Sequence, residues 1–344
     1  MRTPPAVPVY VNWDLTYACP LRCIHCYSES GRRPSRQLDP AGQLKIAERI
    51  IEMGAQCVQF SGGEPLIVPG VFELAEYLVA RGVRVSLYTG GWELKESAAR
   101  RAASLFSNIH VSVDGADAET HDRVRGRQGS FERAARALSL FDRLSAENLR
   151  EGREPLSFGI ESIICRSTFS QMEKFCEHFV WEFPHLKFIS FGAVVPAGLA
   201  SRPDFARREL LTDSQTEKTM SPEFAAHLRG LAPAGVEVGL SDNRFLQMHP
   251  GDEKHEVAGG QLVQIEPDGR VRGMAIYEGS VGNLLEETAE VILERVRRRP
   301  SHPFVVEKLL PVVNSQDWAA ATRDIDWFFA TEDDRARISR RAAA

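Results

Sequence analysis

The sequence lacks long apolar runs, an excess of basic residues and a dense set of cysteines. Its longer apolar runs, such as residues 58–60 and 188–196, fall far short of the roughly 20 residues that cross a bilayer. Residues 1–5 lack the apolar centre of a secretory signal peptide, and six cysteines in 344 residues do not make a disulfide scaffold. The net charge of -5 suggests neither nucleic acid nor a membrane as a partner. We therefore expect a cytoplasmic protein.

What is present is an ordinary globular composition with a regular alternation of segments. Short apolar runs alternate with amphipathic segments six times between residues 9 and 195. This alternation predicts parallel strands joined by helices. Residues 262–274 indicate a β-hairpin, with Pro267-Asp268-Gly269 as its turn. The expected fold is α/β, a partial (β/α)6 parallel barrel with a small α+β C-terminal extension.

Cysteines are concentrated in one short stretch after the first predicted strand. Cys19, Cys23 and Cys26 have the spacing C-x3-C-x2-C, and the next cysteine is Cys57. Three thiolates this close suit an iron–sulfur cluster that leaves one iron free for an outside ligand. A zinc site with His25 as the fourth ligand, or a disulfide plus one odd thiol, are the alternatives.

Residues 13–19, together with Cys23 and Cys26, resemble the radical S-adenosylmethionine (radical SAM) superfamily. The resemblance implies one 4Fe-4S cluster, with one iron on each of Cys19, Cys23 and Cys26 and the fourth on S-adenosylmethionine. A flavodoxin- or ferredoxin-type donor would supply the electron that cleaves S-adenosylmethionine to a 5'-deoxyadenosyl radical. That radical would abstract hydrogen from the substrate. His25 would lie near the adenine; its alternative is a surface loop residue.

A second motif follows a predicted strand 35 residues after the last clustered cysteine. Ser61-Gly62-Gly63-Glu64 matches the superfamily's S-adenosylmethionine motif, in which the glycines let the backbone approach closely and donate amides. Glu64 would bind the cofactor's ammonium group. The resemblance extends to further cofactor contacts, for which capped strand ends and an exposed arginine are the alternatives: Ser112, Asp114 and Arg125.

The substrate side is predicted from the fifth strand, over residues 158–165. Glu161 and Cys165 are four residues apart and therefore share one face of a strand. If that face looks into the barrel, Glu161 is a general acid or base and Cys165 a hydrogen donor for an epimerisation. The alternatives are an outward ion pair for Glu161 and a small buried thiol for Cys165.

The C-terminal part resembles the auxiliary-cluster domain of the mycofactocin-maturase-like branch, without its cysteines. The matching positions hold Glu256, Val263 and Met274, and no cysteine follows Cys176. We expect a core barrel over 1–200, a SPASM/twitch-like domain without an auxiliary cluster over 201–299, and a tail of unknown role over 300–344. Aromatic residues of the tail should cover an apolar surface, and the chain from Glu332 should be a frayed charged end.

The missing auxiliary cysteines favour a redox-neutral reaction on a small-molecule sugar or nucleoside. Within the resemblance, decarboxylation of a cytosylglucuronate-type sugar acid, in antibiotic biosynthesis, is the preferred reaction. A peptide maturase or radical epimerase is the first alternative. A binding protein that keeps the cysteine loop as a zinc knuckle is an alternative of a different class.

Overall fold

Eight neighbouring strands run parallel. The computed structural model describes residues 8–92, 94–251 and 260–341. The six predicted strands lie side by side in chain order: β1 (Val9–Asp14), β2 (Ala55–Ser61), β3 (Arg84–Thr89), β4 (Asn108–Ser112), β5 (Phe158–Ile164) and β6 (Phe188–Ala193). β7 (Glu237–Ser241) pairs with β6, and β8 (Gln261–Ile265) pairs with β1, both in parallel. The predicted α/β fold with a partial parallel barrel is confirmed, and strands from beyond residue 200 enlarge its sheet.

Helices join the parallel strands. The first begins at Pro40, where the Asp39 side chain accepts a hydrogen bond from the Gly42 amide, as the Asp-Pro pair predicts. This helix and the α-helices after it, up to β7, are α1 (Pro40–Glu52), α2 (Val71–Val79), α3 (Glu96–Leu105), α4 (Ala118–Arg125), α5 (Ser130–Arg150), α6 (Gln171–Glu177), α7 (Pro203–Glu209), α8 (Asp213–Met220) and α9 (Pro222–Leu231).

The two faces of the strands differ in polarity. Apolar residues of one face, such as Val11, Trp13, Val58 and Phe60, are fully buried in the main core. The alternate positions on β1 and β2 hold the polar residues listed here: Asn12, Gln59 and Ser61. Because successive side chains of a strand point to opposite faces, the sheet turns a polar face away from its core.

The C-terminal extension begins with the predicted hairpin. β8 and β9 (Arg270–Arg272) are antiparallel, and β10 (Ser280–Asn283) pairs with β9. Of the three positions that match auxiliary-cluster cysteines, Val263 and Met274 are buried, while Glu256 lies outside the described residues. The division of the chain at residues 200 and 299 stays a prediction.

Residues 300–341 form helices: α11 (Pro303–Leu309), α12 (Ser315–Phe329) and α13 (Glu332–Arg341), after α10 (Ala289–Arg298). Trp318 is buried and donates from Nε1 to the Tyr277 hydroxyl at 2.9 Å. Trp327 and Phe328, by contrast, are 48% and 46% exposed. The expectation that the tail's aromatic residues cover an apolar surface thus holds for Trp318 and Phe329, which pack in one apolar cluster. Phe328 stacks on Phe304 with ring centroids 4.0 Å apart, and Trp327 is the exception.

The prediction of a frayed end from Glu332 is wrong for residues 332–341, because α13 carries two buried arginines. Arg341 binds Glu278 at 2.5 Å and Glu29 at 2.7 Å, and Arg337 also pairs with both carboxylates. Burial alone would raise the pKa of Glu278, but Arg272 and Arg341 hold it below its usual value. Glu29 lies 312 residues and Glu278 63 residues from Arg341 in the chain, so local charge density did not reveal these partners.

Replacing Arg341 by Met should lower the free energy of unfolding by about 3–5 kcal/mol, because Glu29 and Glu278 would lose a buried partner. Arg340→Met is the matched control, since Arg340 is the exposed neighbour on the same helix. Denaturant unfolding of the two variants and the parent measures the difference. Equal stability of the two variants would contradict the structural role of α13.

Candidate active site

A cavity of about 360 Å³ opens where the parallel strands end. Ligand sites of parallel α/β sheets lie at this edge, because the connecting loops gather there. All but two of the predicted site residues line it: Cys19, Cys23, His25, Cys26, Ser61, Gly62, Gly63, Glu64, Ser112, Arg125 and Glu161. The exceptions are Asp114 and Cys165.

The cysteine loop leaves β1 and is held by the end of α4. The amides of Arg22 and Ile24 each donate to carbonyls of that helix, those of Arg125 and Val124, at 2.9 Å. On the other side the Leu199 amide donates to the Cys26 carbonyl at 3.1 Å. These bonds hold the loop at the mouth of the cavity and satisfy carbonyls at the helix end.

The three cysteines are free thiols. Burial raises the pKa of Cys19 to about 12 and that of Cys23 to about 11, although Arg125 beside Cys23 opposes the rise. Such thiols lose their protons readily only to a metal cation. Among the described residues, no three His, Cys, Asp or Glu side chains form a group that would hold one metal ion. Three free thiols on one wall of a cavity fit an iron–sulfur cluster, in which each thiolate binds its own iron.

Asp114 lies behind the cavity wall and binds two residues of it. Its Oδ2 is 2.8 Å from His25 Nε2 and 2.7 Å from Arg125 Nε, while its Oδ1 accepts from the Ile163 amide at 2.9 Å. Burial would raise its pKa, but Arg125 and His25 hold the pKa far below the usual range. Asp114 therefore positions His25 and Arg125, and Arg125 in turn lies 3.7 Å from the Cys23 sulfur.

The Gly-Gly-Glu stretch packs against the start of the cysteine loop. The amides of Gly63 and Glu64 donate to the carbonyls of Thr16 and Ala18 at 2.6 and 3.0 Å. A Cβ at Gly63 would lie 1.9 Å from the Ala18 oxygen, and Gly62 has a φ of +113°. The expectation that these glycines donate amides to a ligand is therefore wrong for Gly63, because the chain itself accepts that bond.

Glu64 is buried and already accepts three hydrogen bonds. Its carboxylate accepts from the Thr89 hydroxyl at 2.8 Å, the Gly90 amide at 2.8 Å and the Leu66 amide at 3.2 Å. Burial raises its pKa, and these donors oppose the rise. Glu64 thus joins the loop after β2 to the loop after β3. The residue also lines the cavity.

Sequence reasoning missed most of the polar wall below the loops. Residues absent from the prediction also line the cavity: Asn12, Gln59, Tyr88, Asn243 and Gln264. Asn12 Nδ2 donates to Gln264 Oε1 at 2.6 Å across 252 residues of chain. The available signal was the polar residue at every second position of β1 and β2, in strands whose other face is apolar.

Glu161 is on the cavity wall as predicted, with an aromatic pair beside it. Its Oε2 lies 3.4 Å from His110 Nδ1, and the His110 ring stacks on Tyr88 with centroids 4.1 Å apart. The three side chains come from β5, β4 and β3. Glu161 therefore has an imidazole beside it on the cavity wall, which the sequence did not reveal.

Cys165 is not brought to the cavity. β5 ends at Ile164, and the Cys165 amide donates to Thr168 Oγ1 at 3.0 Å in a tight turn. The thiol is fully buried among apolar side chains that include Val194 and Phe205. The expected common inward face of Glu161 and Cys165 is not observed, because the chain turns at the end of the strand.

Similarity to known proteins identifies the family of this chain. The model of the radical SAM superfamily matches residues 13–147. The AdoMet-dependent heme synthase of Methanosarcina barkeri is 39% identical over 265 residues, which are 71% of either chain. The chain belongs to the radical SAM superfamily. This family uses a 4Fe-4S cluster and S-adenosylmethionine, so both are its cofactors.

Other radical SAM relatives are mycofactocin maturases. That of Mycolicibacterium smegmatis is 36% identical over 169 residues, 49% of this chain and 41% of the relative. That of Mycobacterium ulcerans is 37% identical over 243 residues, 68% of this chain and 63% of the relative. This chain thus spans less than two thirds of the length of the maturases that it matches.

Solved structures support the fold. Native anSMEcpe with bound AdoMet superposes with a TM-score of 0.58 at 16% identity, covering 96% of this chain and 99% of that one. SuiB of Streptococcus suis bound to S-adenosylmethionine has a TM-score of 0.62 at 13% identity, covering 82% and 64%. Within the described residues of our radical SAM chain, no helix has the length and apolar character to cross a membrane.

Replacing any one of Cys19, Cys23 and Cys26 by Ala should prevent assembly of a complete cluster, because every thiolate is expected to hold one iron. Iron and sulfide per chain, measured after anaerobic reconstitution, should fall well below about four of each. Cys57→Ala is the control, since Cys57 lies on β2 outside the loop. Full iron content in any loop variant, or one zinc per chain without visible colour, would contradict the assignment.

Glu64→Ala should weaken binding of S-adenosylmethionine by roughly ten- to a hundredfold, the effect of losing one charge-assisted bond of about 1.5–3 kcal/mol. Thr89→Val is the matched control, because it removes one bond to Glu64 and keeps the carboxylate. Equilibrium titration of the cluster-loaded variants measures the affinities. An equal loss in both variants would mean that Glu64 acts only by holding the two loops together.

Proposed function

We propose that this radical SAM enzyme acts on a small polar molecule, a sugar or nucleoside, in a redox-neutral reaction. The specific reaction that we propose, as the sequence suggests, is decarboxylation of a cytosylglucuronate-type sugar acid. The observation that supports the substrate class is the polar wall of the cavity. Its amide and hydroxyl side chains suit a ligand rich in hydroxyl groups: Asn12, Gln59, Tyr88, Asn243 and Gln264.

The residues of the loops would hold the cofactors. Cys19, Cys23 and Cys26 would bind the cluster. Ser61 at the end of β2, Glu64 in the loop after it and His25 of the cysteine loop would bind S-adenosylmethionine. When bound, these cofactors supply an organic radical that abstracts a hydrogen atom. The protein's own contribution is to orient the substrate in the cavity below the loops.

Glu161 is our candidate for the proton-transfer step. Its carboxylate is on the cavity wall and its side chain is 26% exposed, so a substrate hydroxyl can reach it. His110 Nδ1 lies 3.4 Å from its Oε2. Together they would hold or accept a proton at Glu161 while the substrate rearranges.

Two observations bear on the type of reaction. No cysteine follows Cys176 in the sequence, so the C-terminal region offers no thiolates for a second cluster that could take an electron from the substrate. The guanidinium of Arg125 on the cavity wall is already paired with Asp114. A sugar acid would therefore bring its carboxylate into a cavity where Glu161 has the same charge.

A peptide maturase or radical epimerase is the second candidate, favoured by the identity to mycofactocin maturases. Subtilosin biosynthesis protein AlbA of Bacillus subtilis is a further relative, at 27% identity over 136 residues. Cys165 would be the hydrogen donor in the epimerase form. Its burial among apolar side chains means that this role would need the loop after β5 to open.

Anaerobic assays should distinguish the two candidates. Reconstituted enzyme, S-adenosylmethionine and dithionite are incubated with cytosylglucuronate, a neutral nucleoside or a panel of short peptides. Substrate-dependent 5'-deoxyadenosine with the sugar acid and release of carbon dioxide would support the first proposal. Turnover confined to peptides would contradict it and support a maturase.

Glu161→Gln should reduce product formation by about a hundredfold or more, the usual contribution of a positioned proton-transfer group, while 5'-deoxyadenosine still forms. The KM for a sugar acid should fall or stay constant, because the variant removes a like charge. Cys165→Ala is measured in parallel and should retain product. A wild-type yield of product from Glu161→Gln would show that Glu161 does not carry the proton-transfer step. Loss of product from Cys165→Ala would assign a role in the reaction to Cys165.

A further inference from the structure

A cavity of about 240 Å³ lies beside the candidate active site, and we call it the side cavity. Ala193 at the end of β6 and the adjacent Val194 line both this cavity and the larger one below the cysteine loop. None of the site residues predicted from the sequence lines the side cavity. It therefore adjoins the space in which a substrate would react and has no role in the function described so far.

One short turn forms the partition between the two cavities. Residues 244–247 make a single 3₁₀ turn, a geometry in which side chains three residues apart lie on the same side. Asn243 and Leu246 line the active-site cavity, and Asn243 donates from Nδ2 to a carbonyl at the end of β6 at 2.8 Å. Arg244 and Gln247 line the side cavity. The turn thus presents one pair of side chains to each cavity.

Gln247 brings an unpartnered amide to the side cavity. The residue is 8% exposed, and its backbone carbonyl accepts from the Tyr277 hydroxyl at 2.9 Å. Its side-chain amide, however, has no hydrogen-bond partner among the described residues. The neighbouring Arg244 is paired with Asp242 at 3.4 Å. Because a buried amide without a partner costs free energy, Gln247 suits a ligand that offers a donor and an acceptor side by side.

The floor of the side cavity is apolar. Leu211, Val312 and Trp318 are buried and line it. Trp318 Nε1 already donates to the Tyr277 hydroxyl, so the indole has no polar atom left for a ligand. Proteins bind a heterocyclic base in such a setting, with its faces against apolar or aromatic side chains and its edge hydrogen-bonded to an Asn or Gln amide.

The active-site cavity has little room for a whole nucleoside. Its volume of about 360 Å³ is near the lower end of the roughly 300–1,000 Å³ that one drug-sized ligand occupies. S-adenosylmethionine is a ligand of that size, and our proposal places it in the same cavity. The part of a substrate that does not react therefore needs a further space, and the side cavity adjoins the first at Ala193 and Val194.

We propose that the side cavity binds the heterocyclic base of a nucleoside substrate and that Gln247 reads the edge of this base. The inference rests on the nucleoside substrate of the proposed function and adds the base as a recognised part of it. The Gln247 amide donates to a ring nitrogen or carbonyl of the base and accepts from its amino or imide group. The sugar extends past Ala193 and Val194 into the active-site cavity, where Glu161 lies.

The test measures binding, not turnover. Cytidine and methyl glucuronide, a sugar acid without a base, are titrated into protein that carries its cluster and S-adenosylmethionine. Gln247→Met keeps the length of the side chain but removes the amide, so it should weaken cytidine binding by roughly ten- to a hundredfold. Any binding of methyl glucuronide should be unaffected. Gln56→Met is the matched control, because Gln56 is exposed at the start of β2.

Gln247→Glu separates recognition of the base from a structural role of the turn. A carboxylate can accept from the imide of uridine, but it faces the ring-nitrogen acceptor of cytidine without a hydrogen to donate. The ratio of cytidine affinity to uridine affinity should therefore fall by about tenfold, whereas damage to the turn would lower both affinities alike.

The outcomes distinguish this inference from the proposed reaction. A parent protein that does not bind cytidine, or equal cytidine binding by Gln247→Met at the parent's iron content, would overturn the base site. An unchanged ratio in Gln247→Glu would overturn the reading of the base edge. Cytidine binding that depends on Gln247, without turnover of cytosylglucuronate, would support the base site and contradict the proposed reaction.

Discussion

The arrangement of the site depends on the contacts that the buried carboxylate of Asp114 makes. This fully buried carboxylate binds His25 of the cysteine loop and Arg125 at the end of α4, and it accepts the Ile163 amide of β5. One side chain thus connects the cysteine loop, the helix that holds the loop and the β5 strand of the cavity wall. A buried carboxylate stays charged only when such partners are present, so loss of one partner would disturb all three elements.

A second group of buried charges connects the cysteine loop to the C-terminal end of the chain. Glu29 follows the last clustered cysteine closely, and it pairs with Arg337 and Arg341 of α13. The same arginines bind Glu278, beyond the hairpin strands β8 and β9. In this chain, ion pairs therefore join the hairpin region to the cysteine loop of the barrel. The residues predicted to be a loose tail instead help to fix the loop.

The polar wall of the cavity is built from both ends of the described chain. Uncharged amides and hydroxyls from four strands and one connecting segment line the cavity below the cysteine loop. Asn12 of β1 donates to Gln264 of β8 at 2.6 Å, so the strand that follows residue 260 completes the wall that the first strand begins.

The sequence by itself determined the alternation of strands and helices, the cysteine loop and the Gly-Gly-Glu stretch, because these depend on local spacing and on residue types. Eleven of the thirteen predicted site residues do line one cavity. The tertiary structure alone decided which groups are already engaged: Glu64 accepts three bonds, and Asp114 lies behind the wall. It also decided that Cys165 turns into an apolar cluster and that Arg337 and Arg341 of α13 are buried, since their contacts come from segments distant in sequence. A linear pattern shows which residues can bind, but only the packing of distant segments shows which of them are still free to do so.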